Sequence, residues 1–165
     1  MRDIKIVHLI STFGIGLFAG LLYTFGQGVI PMLNTLSGPE YAEVEQGLIR
    51  ALDGFPTGVI VVATLSMLLP LYPLIRLWGR RHTAFWRLTA IAWLLFFFGV
   101  GVFTIALNVP INNYVLTWDP ANPPPDWEAA RTNWNTLNAI RTPINYVSFG
   151  LMLWAGFELG ARRDE

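Results

Sequence analysis

The sequence predicts an all-α integral membrane protein, a four-helix bundle with both termini in the cytoplasm and two longer extracytoplasmic loops. Three observations lead there. Of 165 residues, 53% are hydrophobic and only 13% are charged, about half the charge a soluble domain carries, and the mean hydropathy is +0.46. Four apolar stretches follow one another along the chain. The arginines crowd into one short connection between them.

The elements follow in order from a bilayer core about 30 Å thick, which needs around 20 apolar residues in helical form. No Asp, Glu, Lys or Arg occurs between Lys5 and Glu40. This is the first span, about 6–33. It continues well past signal-peptide length, and Ala19-Gly20-Leu21 is a poor cleavage site. Glu43 to Asp53 has Val44, Leu48 and Leu52 at i, i+4 and i+8, so a short amphipathic helix should lie there as a lid on the outer surface. Gly54 to Ile75, between Asp53 and Arg76, supplies a span of about 55–77, and Leu88 to Trp118 supplies one of about 86–113. Pro120-Ala-Asn-Pro-Pro-Pro125 is a rigid turn, and Asp126 after it can cap the next helix. The last apolar stretch, Thr142 to Phe157, is short. It reaches a span of about 136–160 only if Arg141 or Glu158 enters the interfacial region. The whole chain is thus expected to be one transmembrane domain, 1–165.

Basic residues set the orientation. Arg76, Arg80, Arg81 and Arg87 occupy the connection between spans two and three with no acid among them, whereas the other two connections are acidic. That loop and both termini should be cytoplasmic. With eleven basic and eleven acidic residues there is no field for nucleic acid, so the partners expected are the lipid bilayer and a lipophilic small molecule, with a second copy or a membrane-complex subunit also open. With no cysteine and two histidines, thiolate chemistry is excluded and no metal site is expected. Ten arginines to one lysine point to a GC-rich bacterium, hence a bacterial cell membrane.

Polar residues in hydrocarbon are costly and need a reason. Trp127, Arg131, Trp134, Asn138, Arg141, Asn145 and Ser148 share one face of a helix, interrupted by Pro143, which frees the carbonyl of Ala139. Gly101, Thr104, Asn108 and Asn112 do the same on span three, where Pro110 frees Ala106. On span one Gly16, Gly20, Tyr23, Gln27, Pro31 and Asn34 form a comparable stripe, with Gly16 and Gly20 expected to touch a neighbouring helix. The asparagines are either glue between helices or the walls of a shared polar pocket, and Arg141 is either a pocket residue or a snorkelling anchor. Three coincident stripes favour a pocket walled also by Tyr23 and Gln27. His8 and His82 lie away from it.

Asn108-Val-Pro-Ile-Asn112-Asn113, then Trp127-Glu-x-x-Arg131-x-x-Trp134, then Asn138-x-x-Arg141 resemble the DUF1772 or anthrone oxygenase-like family of small four-helix membrane proteins. The specific part covers about residues 104 to 146. The resemblance implies oxidation of an anthrone to an anthraquinone with molecular oxygen, and it implies no cofactor. Carried over by motif, Asn108, Asn112, Trp134, Asn138 and Arg141 become candidate pocket residues. In such a pocket Arg141, Asn112 and Asn138 are placed to stabilise a substrate oxyanion and so to act catalytically. Tyr23, Gln27, Asn108, Trp134 and Asn145 would hold the ligand. The chemistry needs a base, for which Tyr23, Glu45 and Asp53 are the candidates.

The expected function is therefore a membrane oxidoreductase acting on a lipophilic aromatic or quinone-like molecule. A non-catalytic bundle, either an accessory subunit or a small-molecule binder, is the alternative. A carrier is disfavoured by the lack of a repeat and of intramembrane charge.

Overall fold

A computed structural model describes residues 1–53 and 58–161. The side chain of Asp53, the start of the second expected span and the C-terminal Arg162 and Arg163 lie outside the described residues. Among the described residues every regular element is helical.

The first rod is continuous from α1 (Arg2–Thr24) through a π-helical turn (Phe25–Val29) into α2 (Ile30–Leu33). The lid helix α3 (Gly38–Asp53) follows. α4 (Gly58–Leu68) and α5 (Leu71–Arg76) make the second rod, and a 3-10 turn at Trp78–Arg80 leads on. The third runs from α6 (Ala84–Phe96) through π turns at Phe97–Val102 and Thr104–Asn108 into α7 (Val109–Val115). Last comes α8 (Trp127–Ala161).

Three of these helices are long and apolar enough to cross a membrane, Arg2–Leu33, Gly58–Arg76 and Ala84–Val115. The fourth expected span lies within α8. At 35 residues α8 is about 50 Å long, but it is not among the apolar three. The polar stripe on its first half lowers its hydropathy.

Two of the π turns have a local cause. Pro31 and Pro110 lack the N–H that the carbonyls of Gln27 and Ala106 would accept. The turn just before each widens instead, at Phe25–Val29 and Thr104–Asn108. α8 runs as one helix through Pro143.

α8 packs along α6 and α1, while α4 packs chiefly on α1 and meets the third rod only lightly. Small residues allow the close contacts. A Cβ at Gly16 would stand 2.7 Å from the Phe149 ring, and one at Gly99 would stand 2.6 Å from Ile144. Gly20 differs from the sequence expectation, since a Cβ there would meet nothing within 4 Å. The buried stripe of α1 is Ile15, Ala19 and Leu22, continuing to Phe25. Ile15, Ala19 and Leu22 each lie one residue before Gly16, Gly20 and Tyr23 of the predicted stripe, and one residue turns a helix by about 100°.

Polar side chains fasten the rods. Ser148 Oγ donates to the Ala92 carbonyl at 2.7 Å, and the indole N–H groups of Trp86 and Trp93 donate to the Leu74 and Met67 carbonyls at 2.9 and 2.8 Å. Three core layers stack along the bundle. Ile4, Phe85, Ala155 and Leu159 lie near the N-terminal end, Ile15, Phe96, Val100 and Met152 in the middle, and Leu33, Tyr41, Val115 and Trp118 under the lid.

The lid begins at a capping box, in which Glu40 Oε2 accepts from both the Ser37 amide at 2.9 Å and its hydroxyl at 2.6 Å. Those bonds hold the Glu40 carboxyl below its ordinary range. Two clamps pin α3 down. Gln46 Nε2 donates to the carbonyls of Val115 and Trp118 at 2.9 and 3.0 Å, satisfying the end of the third rod. Arg131 caps the first rod through Nη1 to Leu33 and Leu36 at 3.3 and 3.4 Å, with its guanidinium 4.7 Å from the Trp127 ring and 5.6 Å from that of Tyr41.

Candidate functional site

Beneath the lid four elements converge on a small cavity of about 90 Å³. Leu22 and Phe25 reach it from the first rod, Glu45 and Ile49 from α3, Thr104, Asn108 and Asn112 from the third rod, and Trp134 and Arg141 from α8. The third-rod residues arrive together because the π turn Thr104–Asn108 precedes α7.

Arg141 is held in a fixed pose. Its Nε and Nη2 donate to Asn138 Oδ1 at 3.1 and 2.7 Å, and Nη1 donates to Thr104 Oγ1 at 2.7 Å. Asn138 in turn donates to the Trp134 carbonyl at 2.9 Å, and the Trp134 indole N–H donates to Asn112 Oδ1, also at 2.9 Å. This chain of bonds runs from Thr104 to Asn112 and orients the guanidinium and the indole together.

Glu45 is 2% exposed and Asn108 1% exposed. Both the oxygen and the nitrogen of the Asn108 carboxamide lack a hydrogen-bond partner among the described residues, an arrangement that protein interiors rarely tolerate without a use. Tyr41, on the buried face of the same lid, has its hydroxyl pushed well above the ordinary tyrosine range by burial first and by the charge of Glu45 second.

Of the residues expected from sequence, Arg141, Asn112, Asn108 and Trp134 come together around the cavity. Asn138 does not line it but stands behind Arg141, its amide spent on Arg141 and the Trp134 carbonyl. Asn145 is also displaced. It is fully buried one turn along α8, beside Ile144 of the middle core layer, and both ends of its amide lack a partner among the described residues.

Tyr23 is 59% exposed and Gln27 is exposed as well, so neither wall residue expected from the first rod reaches the cavity. The physical reason is that the buried stripe runs one to two residues before the expected one, which brings Leu22 and Phe25 inward instead. Spacing of apolar residues could have located these two; reading polarity as the inward signal passed over them. Of the three candidate bases, Glu45 lines the cavity, Tyr23 faces away, and the side chain of Asp53 lies outside the described residues. No cluster of three or more His, Asp or Glu residues that could hold a metal occurs among the described residues.

The profile described as anthrone oxygenase matches residues 49–151, more than half of the chain. The chain belongs to the anthrone oxygenase family. The matched region includes Thr104, Asn108, Asn112, Trp134 and Arg141, whereas the first rod and Glu45 precede it. No curated protein and no solved structure matches the chain. Family membership therefore bears on the half of the cavity built by the third rod and α8.

Proposed function

We propose that this protein oxidises a flat, lipophilic phenolic or quinone-like ketone with molecular oxygen, with the cavity in the outer leaflet and α8 as a fourth span that returns the chain to the cytoplasm. The observation that carries the reading is a carboxyl group, a guanidinium and an unpartnered carboxamide, those of Glu45, Arg141 and Asn108, around one space whose other walls are mostly apolar.

Each group has a task. The Glu45 carboxylate takes a proton from the ring carbon that stands para or α to the substrate carbonyl. The electron pair left behind spreads to the carbonyl oxygen, and Arg141 with the Asn108 Nδ2–H groups stabilises that oxyanion in a medium of low dielectric. Because Asn138 and Thr104 already orient Arg141, little reorganisation is needed as charge develops. The carbanion carbon forms a bond to oxygen, and the resulting peroxide anion takes the proton back from Glu45 to give a hydroperoxide. Loss of water breaks the O–O bond and leaves a new carbonyl. One CH₂ and one O₂ become one C=O and one H₂O, so the substrate is the reductant and no further electron donor is required. Trp134 and Phe25, whose rings are 6.0 Å apart, offer aromatic walls to the ring system.

Oxygen uptake by the purified protein in detergent with an anthrone tests the reading. The expected result is one O₂ consumed per anthrone, and a loss of about a hundredfold or more in Glu45→Gln with the thermal midpoint retained. Uptake no faster than in protein-free micelles overturns it. Binding without uptake makes the protein a non-catalytic binder.

A further inference from the structure

The polar cavity does not end at its own walls. Phe18, Ile49, Val59 and Thr104 line it and also line a second space of about 650 Å³. This larger space lies between α4, which contributes Ala63 and Met67, and the third rod, which contributes Val100 and Ile105. It exists because α4 leans on α1 and barely meets the third rod. Thr64 and Ile105, on its two sides, are exposed on the flank of the bundle, within helices apolar enough to cross a membrane. The opening therefore faces lipid. At the end of the bundle Gln46 and Arg131 hold α3 over the rods.

We propose that the two spaces form one site for an amphiphile with a narrow oxygen-bearing head and a bulky apolar body, which enters sideways from the bilayer between the second and third rods. This rests on the reading of the polar cavity as the place of the substrate's reacting head. The sizes divide the ligand. About 90 Å³ admits a ring edge with its oxygen, while about 650 Å³ falls within the range of about 300–1,000 Å³ typical of small-molecule sites. A plain acyl chain would fill the larger space yet offer nothing to Asn108, whose buried amide is without a partner among the described residues. An occupant with an oxygen at one end satisfies that donor and leaves its body in a space whose lining is mostly apolar, with Arg50 and Asn113 also on its wall. A substrate of this build dissolves in the bilayer and needs no route through water.

The test is equilibrium binding in phosphatidylcholine nanodiscs, corrected for partition into lipid, of hydroquinone and of hydroquinone bearing a decyl chain. In the wild type the chain-bearing probe should bind more tightly. Ala63→Trp and Ile105→Trp fill the larger space from opposite sides, and each should lower the ratio of the two affinities about tenfold, which is about 1.4 kcal/mol. Asn108→Leu should weaken both probes together. An unchanged ratio in whichever wall variant keeps the wild-type thermal midpoint overturns the proposal, as does equal competition by decane, which would make the larger space a lipid-chain groove. The readout is binding, so a protein that passes this test yet consumes no oxygen discards the chemistry and keeps the site.

Discussion

Asn108 sits at the meeting of stability and function. Its carboxamide is buried with neither end bonded among the described residues, and an unsatisfied buried polar group costs about 1–3 kcal/mol. Asn108→Leu, of similar volume, should therefore raise the thermal midpoint in detergent while abolishing turnover; a lower midpoint with normal turnover would make Asn108 structural. Arg141 behaves in the opposite way. Its planar fork serves Asn138 and Thr104 from separate nitrogens, which a lysine ammonium cannot do in one pose. Arg141→Lys should lose about tenfold or more in turnover with folding yield retained, and normal turnover would leave Arg141 an anchor only. The candidate residues from α8 and the third rod were legible because their spacing and prolines mark one face. What could not be read was which amide faces the cavity and which is consumed in holding its neighbour, as Asn138 is.

At the scale of elements, the first rod tests how helix faces are recognised. A Cβ at Gly16 would press on Phe149, whereas one at Gly20 meets open space. Gly16→Leu should cost about 1–3 kcal/mol by overpacking, and Gly20→Leu should be close to neutral; the two are separated by thermal unfolding in detergent, and equal tolerance would remove the α1–α8 contact. The lid was expected to bury Val44, Leu48 and Leu52. Its most buried residues are Tyr41, Ala42, Glu45, Gln46 and Ile49, while Leu48 and Leu52 also line the cavity and Val44 packs against the core beneath. An amphipathic pattern gives a face to within a residue or so, and here that margin decides whether a carboxylate points to water or to the cavity.

For the whole molecule the charges of the connections predict how the chain sits in a membrane. Four arginines without an acid between Arg76 and Arg87 argue that this connection stays in the cytoplasm. Reporter fusions after Trp78 and after Pro125 should read cytoplasmic and extracytoplasmic in turn. The reverse reading would turn the cavity toward the inner leaflet, and the same reading at both would remove the third rod as a span. α8 differs from the apolar three because a helix that lies along α1 and α6 can keep a polar face away from lipid.

Composition and apolar run length were sufficient, by themselves, for an all-α fold rich in apolar helices, since hydrocarbon sets both polarity and length; they led to four spans, of which three are helices long and apolar enough to cross a bilayer. The Asn-x-Pro-x-Asn and Trp…Asn…Arg patterns were sufficient for the family, because they lie within the matched region. Only the tertiary structure decided which side chains share the cavity. Burial is a property of a helix against its neighbours, and a shift of one to two residues along the first rod, leaving the sequence pattern nearly unchanged, exchanges Tyr23 and Gln27 for Leu22 and Phe25. It also took the tertiary structure to bring Glu45 to Arg141 and Asn108. The residues 45 and 141 are far apart in sequence, and no local rule of spacing connects them until α3 folds back over the rods.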